Sequence, residues 1–236
     1  MTLRLGIPSK GRLMNQTVEW FSARGVMLSK TGSEREYAGR VDGMDHVSLV
    51  LLAAAEVPRE LARGTLHLGV TGTDLVREKV AHWQNSIEEI APLGFGQADL
   101  VIAVPRAWID VESIDDLDAV AASFRSAHGQ RLRIATKYHR LVRDYLREQG
   151  VADYLLVDSQ GATEGAVKNL AAEAIADITS TGETLRANHL KIIGGEPIHR
   201  SQATLFRSRV SPWDKAQQAA LQNVLGKLQL ENAYVS

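Results

Sequence analysis

Short β-branched or leucine-rich runs alternate with amphipathic helical stretches along nearly the whole chain, which restricts it to an α/β architecture with largely parallel strands. Residues 3–7 read as a first strand. Pro8-Ser9-Lys10-Gly11 then turns into a helix whose Met14, Val18 and Phe21 share one face, with Gly25 as the C′ residue that closes it. Strands are expected over 46–52 and 66–70, joined by a crossover helix over 56–64 with Pro58 in its first turn and Gly64 at its end. The second half repeats this grammar, with strands over 100–104, 132–136, 154–157 and 174–178 and helices over 114–127 and 141–149. A strand over 203–208 and a polar-faced helix over 212–230 follow. Pro92, Gly94 and Gly96 punctuate the middle of the chain and mark an interdomain crossing. The expected organisation is two α/β lobes hinged near residue 94: residues 1–93, with 206–236 returning to them, and residues 94–205.

Charge and composition remove several function classes. With 27 basic against 28 acidic side chains in 236 residues, the chain is not held on nucleic acid by bulk charge, and a small-molecule partner is expected. No apolar run approaches the roughly 18 to 20 residues of a spanning helix, and Pro8 interrupts the N-terminus too early for a secretory segment, so a cytoplasmic location is expected. The absence of cysteine excludes disulfides, thiolate metal sites and cysteine nucleophiles. His139, His189 and His199 show no metal-binding spacing, and no serine-hydrolase elbow or P-loop is present.

The most specific segment is Ala174-Ile175-Ala176-Asp177-Ile178-Thr179-Ser180-Thr181-Gly182-Glu183-Thr184-Leu185. A strand ending at Asp177 leads into the hydroxyls of Thr179, Ser180, Thr181 and Thr184 and then into a helix, so hydroxyls, backbone N–H groups and a helix N-terminus converge as a phosphate monoester requires. Gly182 lets the backbone approach an anion, and Asp177 is placed to accept from ribose hydroxyls. The plain alternative is a Ser/Thr-capped helix, which needs fewer hydroxyls than these. Lys10-Gly11-Arg12, at the first strand-to-helix turn, suits a polyphosphate or is a solvated basic turn. Asp74 is a helix N-cap or a ligand contact, and Glu164 faces the site or complements a helix dipole.

These motifs together resemble the short form of the ATP phosphoribosyltransferase family. The resemblance is carried by Leu5-Gly6-Ile7-Pro8-Ser9-Lys10-Gly11-Arg12-Leu13, Leu68-Gly69-Val70-Thr71-Gly72-Thr73-Asp74-Leu75-Val76, Arg133-Ile134-Ala135-Thr136-Lys137-Tyr138 and the run from Asp177 to Asn188. It implies two lobes resembling type II periplasmic binding proteins, with the active site in the interlobe cleft. It also implies a glycosyltransferase that joins N1 of the adenine of ATP to C1 of 5-phosphoribosyl 1-diphosphate (PRPP), releases diphosphate and uses Mg²⁺ bound mainly through substrate phosphates. Thr179, Ser180, Thr181, Gly182 and Thr184 become the cradle for the ribose 5-phosphate and Asp177 the ribose partner, while Lys10 and Arg12 face polyphosphate.

One departure matters. Members of the family often carry an arginine before an acid-aliphatic-proline turn, and here that stretch reads Leu52-Ala53-Ala54-Ala55-Glu56-Val57-Pro58, which passes its duty to Arg35 or another cation. The long form adds a C-terminal histidine-binding domain; ending at Ser236, this chain is expected to lack a feedback site and to work in a hetero-oligomer with a regulatory subunit resembling histidyl-tRNA synthetase. The competing readings are a nucleobase phosphoribosyltransferase, whose PRPP motif usually opens with two adjacent acids where this chain has Ala176-Asp177, and an anion-binding two-lobed module without catalysis.

Overall fold

A computed structural model describes residues 2–30, 38–159 and 161–230. The chain forms two compact units, Met1–Gly96 with Gln202–Ser236, and Gln97–Ser201. Among the described residues no helix is long and apolar enough to cross a membrane.

The first unit contains strands β1 (Leu3–Pro8), β2 (Leu28–Lys30), β3 (Ala38–Val41), β4 (Val47–Leu52), β5 (Leu68–Gly72) and β6 (Ile87–Pro92), and helices α1 (Gly11–Ser22), α2 (Val57–Arg63) and α3 (Thr73–Lys79). The second contributes β7 (Ala98–Pro105), α4 (Ile114–His128), β8 (Leu132–Thr136), α5 (His139–Glu148), β9 (Tyr154–Asp158), α6 (Gly165–Lys168), β10 (Ala174–Thr179), α7 (Glu183–Ala187), β11 (Leu190–Ile193) and β12 (His199–Ser201). The chain then returns to the first unit through β13 (Ala203–Ser208) and α8 (Lys215–Lys227).

In the first unit the described strands form one sheet in the order β2-β3-β4-β1-β5-β13-β6. β1 is buried along almost its whole length, as a strand covered on both faces must be. Leu49 and Leu51 of β4 enter a core with Phe21 of α1 and Leu221, Val224 and Leu225 of α8. Val50 and Leu52, pointing the other way, pack on the cluster of Val57 and Leu61 from α2 and Val76 from α3. The sheet is thus clad by helices on both faces. Gly25 closes α1 at a left-handed φ of +73°, with its N–H on the Ser22 carbonyl and the Val26 N–H on that of Phe21.

The second unit carries the order β11-β7-β10-β8-β9, with β12 also paired to β7. Asp116 caps the start of α4: the Ser113 hydroxyl accepts from the Asp116 N–H at 3.1 Å, and the Asp116 carboxylate accepts from the Ser113 N–H at 2.9 Å.

Three expectations need correction. The sheets are mixed rather than largely parallel: β7 runs against β10, β11 and β12, and β13 against β5 and β6. Period alone cannot separate the two directions, and antiparallel neighbours need no helical crossover. The crossings fall after Gly96 and Ser201, not at 93/94 and 205/206. The Leu93 N–H donates to Ala203 and the Ala203 N–H to Phe95, which holds both segments in the first sheet. Finally, the terminal helix starts at Lys215 rather than Pro212, because Asp214 caps it in a reciprocal pair with Gln217.

Candidate active site

In the second unit, β8, β9 and β10 are mutually parallel, so their C-terminal ends share one edge of the sheet, where open α/β sheets bind ligands. β10 is fully buried through Ala174, Ile175 and Ala176, then emerges at Asp177 and continues two residues further, to Thr179.

Beyond it the chain turns on its own hydroxyls. Thr179 Oγ1 accepts from the Gly182 N–H at 2.9 Å, and Thr181 Oγ1 accepts from the Glu183 N–H at 3.3 Å. Each hydroxyl spends a lone pair and keeps its proton for donation. Ser180 Oγ donates to the Gln97 carbonyl at 3.0 Å, tying the turn to the start of β7. Gly182 sits at φ +71°, a region that penalises side chains, and a Cβ there would stand 2.9 Å from the Arg186 Nη1. Thr181 and Thr184 are exposed. The helix that follows, α7, is only five residues long. A helix this short has a small dipole, so the hydroxyls outweigh it as candidate contacts for an anion.

Asp177 gathers the neighbouring loops around it. Burial pushes its carboxyl above the usual aspartate range, opposed by hydrogen bonds from the Thr163 hydroxyl and the Ile178 N–H and by the charge of Lys137; Glu164 adds repulsion. The Ile178 N–H donates at 2.9 Å. Thr163 is fully buried, and its hydroxyl accepts from Ser159 Oγ at 2.8 Å. Lys137 Nζ donates to the Gly161 carbonyl at 2.5 Å. Glu164 makes no side-chain capping bond to the four-residue α6.

Lys137, Ser159 and Thr163 carried no role in the sequence reading. Lys137 and Ser159 directly follow β8 and β9, and that shared position at the ends of parallel strands was the available signal.

The first unit brings its own candidates to one sheet edge. Lys10 holds the N-cap position of α1 in extended backbone, Gly11 and Arg12 open the helix, and both cationic side chains are exposed. Asp74 stands beyond the neighbouring parallel strand β5, in the first turn of α3, and is buried. It is not the N-cap, a position that Gly72 takes. The stretch without the family's arginine is folded on itself: Glu56 accepts from the Ala53 N–H at 3.0 Å, and Thr71 donates to the Ala54 carbonyl at 2.9 Å. Arg35 lies outside the described residues.

Comparison with known proteins identifies the family. The family model of ATP phosphoribosyltransferase matches residues 53–230. An ATP phosphoribosyltransferase of Cereibacter sphaeroides is 68% identical over 92% of this chain and 92% of its own length. The ATP phosphoribosyl transferase (HisG:HisZ) complex from Thermotoga maritima superposes with a TM-score of 0.73 at 25% identity, covering 97% of this chain and 96% of the other. A histidine kinase sensor domain with similarity to periplasmic binding proteins shares the fold, with a TM-score of 0.53 at 13% identity over 99% of this chain and 92% of the sensor. By family match and relatives alike, the chain belongs to the ATP phosphoribosyltransferase family, which condenses ATP with PRPP in the first step of histidine biosynthesis.

Proposed function

We propose that the turn from Thr179 to Thr184 holds the 5-phosphate of PRPP, that Asp177 accepts from its ribose hydroxyls beside Glu164, and that Lys10, Gly11 and Arg12 in the first unit face polyphosphate, with Asp74 at the same sheet edge. The observation that carries this reading is the convergence, at the ends of β8, β9 and β10, of a half-buried carboxylate with a turn whose hydroxyls keep their protons for donation.

The chemistry asks for little more. The adenine N1 lone pair forms a bond to C1 of the ribose as the bond from C1 to the diphosphate oxygen breaks, and the electron pair leaves with diphosphate. C1 gains oxocarbenium character on the way. A carboxylate held next to the ribose stabilises that positive charge, and cations and hydroxyls stabilise the departing and anchoring phosphates, so positioning and electrostatics serve where no covalent nucleophile is present. Mg²⁺, when bound, would be held mainly by the phosphates of PRPP and would supply neutralisation of the charge on the departing diphosphate.

The chain works in the cytoplasm, in a homo-oligomer within a hetero-oligomer, together with a regulatory subunit resembling histidyl-tRNA synthetase; the similarity to the Thermotoga maritima complex supports that partner. Arg35 or another cation takes over from the arginine missing near Ala53.

Thr181→Ala tests the phosphate cradle. A hydroxyl that donates to a charged phosphate contributes about 1.5–3 kcal/mol, so kcat/KM for PRPP falls roughly 10- to 150-fold while the chain stays folded. Unchanged PRPP kinetics in the folded variant remove this turn from the site.

A further inference from the structure

The site contains a hydrogen-bonded pair of hydroxyls, a buried Thr163 and a half-buried Ser159, that the reaction itself does not use. We propose that Thr163, oriented by Ser159, is a positioning residue that fixes the Asp177 carboxylate in the rotamer that meets the ribose. The inference rests on the reading of Asp177 as the ribose partner.

The geometry leaves the pair little choice. Ser159 is anchored to the end of β8, its N–H on the Thr136 carbonyl at 3.2 Å. Thr163 is anchored as well, since its carbonyl accepts from the Ala166 N–H at 3.0 Å where α6 begins. Ser159 Oγ donates to Thr163 Oγ1 at 2.8 Å, and a hydroxyl has a single proton. Thr163's proton is therefore directed to Asp177, the acceptor its side chain meets. With the Ile178 N–H on Oδ1, the carboxylate is gripped by two donors, one fixed in β10 and one in the loop before α6. Lys137 and Glu164 are the charged groups that face it, and neither hydrogen-bonds to it. Hydroxyls in series polarise one another, so the donor that reaches Asp177 is strengthened by the one behind it. Thr163 is fully buried and closed off from substrate, which separates positioning from binding.

The test is a double-mutant cycle on the full chain, with a regulatory subunit present wherever the wild type requires one. Thr163→Val keeps the shape and removes the donor. The expected result is a roughly 5- to 50-fold fall in kcat/KM for PRPP with KM for ATP unchanged, recovery to within about twofold in Thr163→Ser, and no further loss when Thr163→Val is added to Asp177→Asn. Ser159→Ala provides a second route if the valine variant does not fold; a smaller loss in the same direction, absent in the Asp177→Asn background, supports the proposal. Equal losses in both backgrounds, or parallel losses for ATP and PRPP, overturn it while leaving Asp177 in place. Wild-type PRPP kinetics in Asp177→Asn overturn the ribose reading and this proposal together.

Discussion

Replacing Asp177 with asparagine separates the demands of the site from those of the fold. Asparagine has nearly the same shape, and its carbonyl oxygen can still accept from the Ile178 N–H, so packing is preserved; with one acceptor atom in place of two it no longer holds both donors as the carboxylate does. The negative charge also disappears. Burial raises the folded-state pKa of Asp177 above its unfolded value. The stability this group contributes is therefore fully present below the unfolded pKa, near the usual ~3.9, and is lost as pH rises through the folded value. At neutral pH the ionised carboxylate burdens the fold, and the asparagine variant should melt no more than about 1–2 °C below wild type, or above it. Its advantage should shrink as pH falls toward the carboxylate range and the wild-type acid takes up its proton.

Activity should move the other way. Two ribose hydroxyls that donate to a carboxylate lose about 1–1.5 kcal/mol each when the acceptor becomes neutral, together about 2–3 kcal/mol, or roughly 30- to 150-fold in kcat/KM for PRPP. Thermal melts at pH 7 and pH 4.5, beside initial rates at varied PRPP, read both quantities. A drop in melting temperature that alone accounts for the lost activity would refute the reasoning, as would unchanged PRPP kinetics.

Gly182→Val places a branched side chain at φ +71° with its Cβ 2.9 Å from Arg186 Nη1. It should cost at least about 1–2 kcal/mol of stability, measured by denaturant melts, and impair PRPP use more than Thr181→Ala; an unshifted midpoint would contradict it. His67 accepts the Arg4 N–H on Nδ1 at 3.1 Å and meets the Pro212 carbonyl with Nε2 at 3.2 Å, and burial lowers its pKa below 6.5. The neutral ring is the one that fits, so stability should be lost as pH falls below the unfolded value of about 6.5, and His67→Gln should flatten that slope in melts from pH 7.5 to 5. The purified chain alone should show low turnover and little response to histidine, and adding the regulatory subunit should confer histidine inhibition, with a coupling of about 1–3 kcal/mol measured by inhibition curves. Strong histidine inhibition of the chain by itself would contradict that arrangement.

Legibility followed where the physics is local. β8 and β13 match their expected spans because alternation and punctuation agree at both ends. β5 starts two residues later than expected, since the Thr65 and Leu66 N–H groups are spent on the Glu60 carbonyl at the end of α2. β11 and β12 escaped detection, being four and three residues long. In the site, the run from Asp177 to Thr184 was conspicuous because its hydroxyl density exceeds what a cap requires. Lys137, Ser159 and Thr163 are not, because they come together only once parallel pairing sets the ends of β8, β9 and β10 side by side. Of the two readings of Asp74, helix N-cap or ligand contact, the cap is excluded because Gly72 fills that position; an acid in the first turn and an acid at the cap look alike in sequence.

The most direct test of the account is diphosphate release from PRPP and Mg²⁺ in the presence of either ATP or free nucleobases, with the regulatory subunit supplied. ATP alone should support release, with the phosphoribosyl group recovered on the adenine of ATP. Release with free bases but not with ATP would make the chain a nucleobase phosphoribosyltransferase, and PRPP binding without release in either mixture would make it an anion-binding module.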